Sequence, residues 1–291
     1  MGAAEVATAL GGKRAGRGYL ARCVAHPDRN PSLLINDGED GRLLLHCYAG
    51  CEFRDIIAAL RSGGFLDGGA TRTEAVVDID YEAERLARSA AAASMWHHAK
   101  PALGTPVERY IRWRGIEGDI PPTLRFAEAT HHPYENRALP AMIACITRWP
   151  DRRVIAVHRT FLQNDGRGKA GTDADKLMFG PCAGGAVRLG AVGDELTVAE
   201  GIESALSAQI VLGKPAWACL STSGLKGVIL PPLPLARFIW IAADNDTPGM
   251  AAANEAADKW TGDGRTVRIC PPPQRGMDWN DALRSEIAHA Q

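Results

Sequence analysis

The sequence predicts an α/β protein whose carboxyl-terminal part is a parallel sheet with crossover helices. Two observations support this. Short apolar runs alternate with helical runs over the last hundred residues, and two of these runs end directly in acidic residues followed by turn residues. Such runs are typical of strands that are buried on both faces and joined by helices. A third observation, a group of cysteines and a histidine near the N-terminus, predicts a small metal-stabilised module. Between the two we expect a small mixed α+β subdomain.

The composition is that of an ordinary soluble globular chain. Of its 291 residues, 46% are hydrophobic and 23% are charged, which is enough for two or three domains. A formal net charge of −1 provides no global basic field, so any nucleic-acid surface has to be local. No apolar stretch reaches the length of a membrane span and the N-terminus lacks a signal-peptide core. We therefore expect a cytoplasmic protein without a membrane partner.

Four potential metal ligands stand in two pairs near the N-terminus. Cys23 and His26 have Cys-x2-His spacing, and Cys47 and Cys51 have Cys-x3-Cys spacing. Three thiolates and one imidazole suit a closed tetrahedral zinc site, and small modules of this kind gain folding free energy from the ion. Seven cysteines, an odd number, fit metal binding in a reducing cytoplasm better than a disulfide framework. The alternatives are buried free cysteines beside a coincidental histidine, or His46 as the nitrogen ligand.

The segments around these ligands and after them are simpler to interpret. Residues 1–18 are small and glycine-rich, and we expect little structure there. The predicted helices and linker that follow are a helix over Phe53–Leu60, a glycine-rich linker over Ser62–Thr73, a helix over Tyr81–Lys100 and a helix over Pro106–Arg114. From Leu124 to Leu189 the pattern changes to short strands, with a predicted hairpin of Ala141–Arg148 and Arg152–Phe161 around Trp149-Pro150-Asp151.

Local positive charge accompanies this hairpin and the glycine-rich turn after it, supplied by His158 and four further cations. Arg159, Arg167, Lys169 and Lys176 could neutralise phosphates of a nucleotide or a nucleic acid. The alternative is a solvated hairpin with ordinary surface cations.

The last hundred residues alternate strand (195–199), helix (202–212), strand (216–220), strand (238–243), helix (249–260) and strand (265–270). Glu200 follows the first strand, and Asp244 and Asp246 follow the third. The carboxyl ends of parallel strands meet at one edge of a sheet, where open α/β sheets bind ligands. Carboxylate oxygens there suit Mg²⁺ or Mn²⁺. The alternative is that one of the two aspartates caps the helix beginning near Pro248 and the other is solvated.

A later acidic cluster could complete the site. Asp278 and Asp281 follow the last predicted strand, and Glu203 lies one helical turn after Glu200. These residues could hold a second ion or orient the ligands of the first. Helix capping is the alternative for Asp278 and Asp281.

These motifs resemble a known family. Glu200 followed by Gly201, the Asp244-x-Asp246 segment with Gly249 shortly after, and the late acidic cluster resemble the Toprim domain of DnaG-type primases, type IA and II topoisomerases and some nucleases. The segments 26–32 and 46–51 are similar to the zinc ribbon of DnaG-type primases, and the Cys-x3-Cys spacing points to plasmid and phage members. The resemblance implies a zinc-ribbon domain (1–66), a linker and helix (67–105), a basic subdomain of the primase core (106–190) and a Toprim catalytic domain (191–291).

The resemblance also implies an activity. A DNA primase of this kind makes short RNA primers on single-stranded DNA during DNA replication, with nucleoside triphosphates as substrates, and can work with a replicative helicase. Glu200, Asp244 and Asp246 would be the catalytic metal ligands, and the ribbon surface would hold the template. The ribbon residues in question are Arg29, Ser32, Arg42 and Tyr48. A non-catalytic zinc-ribbon adaptor that binds single-stranded DNA and a Toprim nuclease remain alternatives.

Overall fold

The computed structural model describes residues 2–15, 18–28, 31–38, 42–47, 51–66 and 81–289, with residues 81–84 and 289 described by their backbone only. The chain divides into two compact units, Met1–Asp80 and Tyr81–Gln291. Most of the predicted linker Ser62–Thr73 lies outside the described residues. Within the described part of the chain, no helix combines the length and the apolar character that crossing a membrane requires.

The first unit contains an antiparallel sheet with the strand order β1-β2-β3-β4 and two helices. Its elements are α1 (Ala3–Ala9), β1 (Lys13–Ala15), β2 (Gly18–Ala21), β3 (Leu33–Asp37), β4 (Leu43–Cys47) and α2 (Phe53–Ser62). The expectation of little structure over residues 1–18 is wrong. Val6 of α1 is fully buried with Leu33 and Ile35 in one core, and the Asp37 carboxylate accepts a hydrogen bond from the Ala3 N–H at 2.8 Å. These contacts are distant in sequence, so local composition does not predict the helix.

The second unit begins with an antiparallel sheet of order β5-β6-β7-β8-β9. Its elements are α3 (Tyr81–His98), β5 (Lys100–Pro101), α4 (Pro106–Trp113), β6 (Leu124–His132), β7 (Arg137–Thr147), β8 (Val154–Phe161) and β9 (Lys176–Phe179). Strands β7 and β8 form the predicted hairpin, with Ala144 opposite His158. Ala92 of α3 packs with Val157 and Phe161 of β8, so one side of β8 is covered by this helix.

The second sheet is mostly parallel, as predicted, with the order β10-β12-β11-β13-β14. Its elements are β10 (Val187–Arg188), β11 (Glu195–Ala199), α5 (Ile202–Leu212), β12 (Ala216–Ala218), α6 (Thr222–Gly227), β13 (Phe238–Ala242), α7 (Thr247–Gly262), β14 (Thr266–Ile269) and α8 (Trp279–His289). Strand β10 is antiparallel to β12, and the other neighbours are parallel. Strand β12 is shorter than predicted, and Leu220 beyond it has a φ of 71°, in the left-handed region.

Strands β11 and β13 are neighbours in the middle of this sheet, with Ala199 opposite Ala242. Both strands end at the same edge because they are parallel and in register. Ile239 and Ile241 of β13 are buried, which explains the continuous apolar run in the sequence. The residues that follow each strand are thereby brought to one rim.

Candidate active-site cavity and zinc site

A cavity of about 180 Å³ lies at the carboxyl ends of β11, β12 and β13. Four acidic residues line it: Glu203, which is described separately below, and three that we call the acidic set, Glu200, Asp244 and Asp278. Four residues of basic type line it too, and we call them the basic set: Arg114, His158, Lys169 and Lys176. Its remaining lining residues are Gly201, Ile202, Ser204 and Leu220. Acidic and basic side chains of both halves of the second unit therefore meet in one space.

Asp244 is the most perturbed member of the acidic set. Burial raises its pKa to about 7, and the negative charges of Glu200, Asp278 and Asp246 act in the same direction. Its Oδ1 atom is buried and has no hydrogen-bond partner among the described residues. Burial and Asp246 also raise the pKa of Glu200. A buried carboxylate oxygen without a partner, among other acids, is an arrangement that a divalent cation would satisfy.

The carboxylate oxygens of the acids do not form a tight cluster. Within the described part of the chain, only the cysteine–histidine cluster brings three or more potential ligand atoms within 4.8 Å of one another. Carboxylates without a cation between them repel one another. Mg²⁺ usually keeps several water ligands and needs only one or two carboxylates, so the wider spacing fits this ion.

Two of the predicted acidic ligands have a second role as helix caps. The Asp246 carboxylate accepts a hydrogen bond from the Gly249 N–H at 2.7 Å and caps α7. The Asp278 carboxylate accepts from the Asp281 N–H at 2.8 Å, at the start of α8. Asp278 lines the cavity as well, whereas Asp246 and Asp281 do not. Asp246 is still close enough to raise the pKa of both Glu200 and Asp244.

Gly249 is required by this arrangement. A Cβ atom at this position would lie 2.6 Å from the backbone oxygen of Asp244 and 3.0 Å from a carboxylate oxygen of Asp246. Only glycine allows the first turn of α7 to approach the loop that carries both aspartates.

Glu203 is buried beside the cavity and is hydrogen-bonded through both of its carboxylate oxygens. Tyr110 donates its hydroxyl hydrogen to Oε1 at 2.6 Å, and Lys176 donates from Nζ to Oε2 at 2.9 Å. Burial by itself would raise the pKa of Glu203, but the Lys176 charge and the Tyr110 hydrogen bond outweigh it and hold the pKa well below its usual range. Glu203 is therefore a carboxylate that stays ionised inside the protein.

The predicted cationic residues separate into two groups. Lys169 and Lys176 line the cavity. Arg159 lies elsewhere: it is buried, and its guanidinium lies 5.8 Å from the Phe161 ring centroid and 5.6 Å from that of Phe179. Arg167 is exposed in a turn and also lies away from the cavity. Alternation along β8 puts Arg159 on the face opposite to its neighbour, and that neighbour reaches the cavity instead.

Arg114 is the residue of the basic set that the sequence pattern does not single out, and His158 is the one whose expected positive charge is wrong. Burial, together with the charge of Lys176, lowers the pKa of His158 to about 4, so its imidazole is neutral at pH 7. Arg114 follows α4, and its Nε atom is buried without a hydrogen-bond partner among the described residues. The backbone oxygen of Arg114 accepts a hydrogen bond from the buried Asn280 amide at 2.9 Å, which links this residue to α8. No motif around Arg114 signals this long-range contact.

The four predicted zinc ligands converge in the first unit. The ligand atoms of Cys23, His26, Cys47 and Cys51 lie within 4.8 Å of one another. Zinc–sulfur bonds of about 2.3 Å in a tetrahedron place neighbouring ligand atoms about 3.8 Å apart, so small adjustments would close the site around an ion. His46 does not belong to this cluster, and the choice of His26 fits the geometry.

The side chain of Asp28 organises the chain next to these ligands. Its Oδ2 atom accepts hydrogen bonds from the Cys23 N–H at 2.7 Å and from the Ser32 hydroxyl at 2.6 Å, and its Oδ1 lies 3.7 Å from Nε2 of His26. The Nδ1 atom of His26 faces the thiols instead, 3.2 Å from the Cys51 sulfur. A carboxylate on the far side of a ligating imidazole is a common support of metal sites.

Of the predicted template-binding residues of the ribbon, two can be placed. Ser32 is engaged in the hydrogen bond to Asp28, and Arg42 is half-buried. Arg29 and Tyr48 lie outside the described residues.

Comparison with known proteins finds a family-model match in each half of the second unit. Residues 195–288 match a family described as a Toprim domain, and residues 86–189 match a domain of unknown function (DUF7146). The parallel sheet of residues 195–288 is therefore of the Toprim type. No curated protein matches the chain significantly.

Several solved primase structures are similar to this chain. A DNA primase domain from Pseudomonas aeruginosa is 18% identical, with coverage of 69% of this chain and 77% of that one and a TM-score of 0.46. The zinc-binding and RNA polymerase domains of the Aquifex aeolicus primase are 13% identical, with coverage of 98% and 82% and a TM-score of 0.39. A DnaG primase catalytic domain bound to ssDNA is 16% identical, with coverage of 72% and 81% and a TM-score of 0.46.

The Toprim match and the cysteine–histidine cluster confirm the predicted resemblance to DnaG-type primases. A plasmid or phage origin stays a prediction.

Proposed function

We propose that this chain is a DNA primase-like nucleotidyltransferase that makes short RNA primers on single-stranded DNA from nucleoside triphosphates. The observation that carries the proposal is the cavity in which the acidic set and the basic set meet at the edge of the Toprim sheet. Phosphoryl transfer needs both chemistries together: oxygen ligands for a divalent cation, and cationic groups for the phosphates.

The residues of the cavity would divide the work. Mg²⁺ or Mn²⁺ held by Glu200 and Asp244, with Asp246 and Asp278 nearby, would supply charge neutralisation on the triphosphate and a lower pKa for the attacking hydroxyl. Arg114, Lys169 and Lys176 would bind and orient the phosphates. His158 is neutral at pH 7 and can donate one hydrogen bond to a phosphate oxygen without adding charge.

For the first unit we propose a structural zinc ion held by Cys23, His26, Cys47 and Cys51, with template binding as the role of the ribbon surface. We also propose a replicative helicase as a partner, because the resemblance to DnaG-type primases implies one.

A primer-synthesis assay tests the proposal. Wild type, Asp244→Asn and the control Asp258→Asn are incubated with single-stranded DNA, labelled ribonucleoside triphosphates and either Mg²⁺ or Mn²⁺. Asp258 lies on the exposed side of α7, outside the cavity, and is a matched control for the loss of one carboxylate. We expect primers from wild type and from the control, and a loss on the order of 10²-fold or more for Asp244→Asn.

The other outcomes separate the alternatives. Equal absence of product from wild type and Asp244→Asn, with binding of single-stranded DNA unchanged by the substitution, would favour the non-catalytic adaptor. Metal-dependent cleavage of labelled DNA in place of synthesis would favour a Toprim nuclease.

A further inference from the structure

The position of Glu203, one helical turn after Glu200 and beside the same cavity, suggests a metal ligand at first sight. We infer instead that Glu203 is a positioning residue, which holds the Lys176 ammonium group in the cavity through a direct ion pair while Tyr110 fixes its carboxylate. The inference deepens the proposed function and rests on it, because it takes Lys176 to be a phosphate-binding group.

The contacts of Glu203 leave it no free oxygen for a cation. The side chain is 4% exposed, Oε1 accepts from Tyr110, and Oε2 lies 2.9 Å from the Lys176 ammonium nitrogen. Its charge is thus already compensated by a cation and by a hydrogen bond. A metal ion at Glu203 would have to compete with the Lys176 ammonium on one oxygen or with a buried hydrogen bond of 2.6 Å on the other. Asp244 differs from Glu203 in this respect, because its buried Oδ1 has no hydrogen-bond partner among the described residues.

The ion pair also has a consequence for Lys176. The lysine side chain is 37% exposed, and a lysine in that setting without a partner would sample many rotamers. The bond to a buried, fixed carboxylate orders its end in the cavity. From there Lys176 acts electrostatically on both Glu200 and Asp244.

Tyr110 makes the carboxylate itself rigid. It is fully buried on α4, Glu203 lies on α5, and Lys176 begins β9, so three elements meet at one carboxylate. Two donors on two different oxygens fix both the position and the rotation of the carboxylate plane. The fixed carboxylate of Glu203 therefore restricts the position of the Lys176 ammonium group at the edge of the cavity.

The test uses the full-length protein with Glu203→Gln, Lys176→Met and the double variant. ATP binding in the presence of Mg²⁺ is measured by calorimetry, and Mn²⁺ binding to the nucleotide-free protein by electron paramagnetic resonance. We expect each single variant to weaken ATP binding about tenfold, the effect of losing one charge-assisted contact. The double variant should be no weaker than Lys176→Met alone, because Glu203 acts through Lys176.

Mn²⁺ binding distinguishes positioning from ligation. Glu203→Gln should retain the Mn²⁺ affinity of wild type within about threefold, whereas Glu200→Gln should lower it at least tenfold. Tyr110→Phe controls for stability: it removes a buried hydrogen bond but leaves the ion pair, so it should lower the melting temperature and weaken ATP binding less than Glu203→Gln does.

If wild type binds both ATP and Mn²⁺, two results would overturn the inference and leave the proposed function standing. The first is a Mn²⁺ affinity of Glu203→Gln as low as that of Glu200→Gln. The second is a loss of ATP affinity in the double variant that equals the sum of the two single losses of binding free energy. If wild type binds neither ATP nor Mn²⁺, the proposed function fails and the inference fails with it.

Discussion

Replacing Asp244 by asparagine should stabilise the metal-free protein above neutral pH while removing the proposed primer synthesis. The carboxyl of Asp244 has a pKa of about 7 in the folded chain, against an ordinary value of 3.8. A raised pKa in the folded state means that the folded chain binds more protons than the unfolded chain between about pH 4 and pH 7. The stability of wild type therefore falls as the pH rises through this window. The Asp244→Asn variant has no titrating group at this position and does not lose this stability.

The size of the effect follows from the shift. About three pKa units at 1.36 kcal/mol per unit correspond to about 4 kcal/mol. Some solvent reaches Asp244, and screening reduces the expected gain to roughly 2–4 kcal/mol at pH 8. At pH 5 less than half of this gain should be present, because only the part of the window between pH 4 and pH 5 has been crossed.

Urea unfolding followed by tryptophan fluorescence measures this gain in the second unit, which contains Asp244. All seven tryptophans lie between residues 96 and 279, so their fluorescence reports on the second unit and not on the zinc module. Wild type, Asp244→Asn and the exposed control Asp258→Asn are compared at pH 5 and pH 8 without added divalent cations. The control should stay within about 0.5 kcal/mol of wild type at both values.

The difference in unfolding free energy between Asp244→Asn and wild type should be larger at pH 8 than at pH 5. The same difference at both pH values would refute the reasoning. Added Mg²⁺ provides a second check. It should stabilise wild type at pH 8 by binding the folded state and should do so less for the variant.

Further predictions concern the zinc module and the turn that carries the aspartates. Cys47→Ser should lower the zinc content from one ion per chain to nearly none and destabilise the first unit, because it removes a zinc ligand. The control Cys270→Ala changes a cysteine outside the cluster and should keep the ion. Metal analysis measures the zinc content of both variants, and equal zinc in the two would contradict the proposed site. Gly249→Ala should cost about 1–3 kcal/mol and impair Mn²⁺ binding, because its Cβ would clash with the Asp244 backbone. Gly262→Ala, in the same helix with nothing within 4 Å, should be neutral or slightly stabilising in the same urea experiment, and similar losses at both glycines would argue against the clash.

The sequence by itself determined the features that depend on spacing and on local periodicity. The two cysteine pairs with their histidine, the β7–β8 hairpin and the alternation of strands and helices in the Toprim domain are of this kind. The presence of Glu200 and Asp244 at one sheet edge follows as well, because parallel neighbouring strands bring their carboxyl ends together.

The tertiary structure alone decided which distant side chains join these acids. Tyr110 and Glu203 are 93 positions apart, and the contact between Asn280 and the backbone of Arg114 spans 166 positions. The sequence shows that His158 and Arg159 face opposite sides of a strand, but only the tertiary structure shows that both are buried and that His158 is the one that lines the cavity. Contacts of this range depend on how two sheets and their helices pack, and no local pattern encodes that packing.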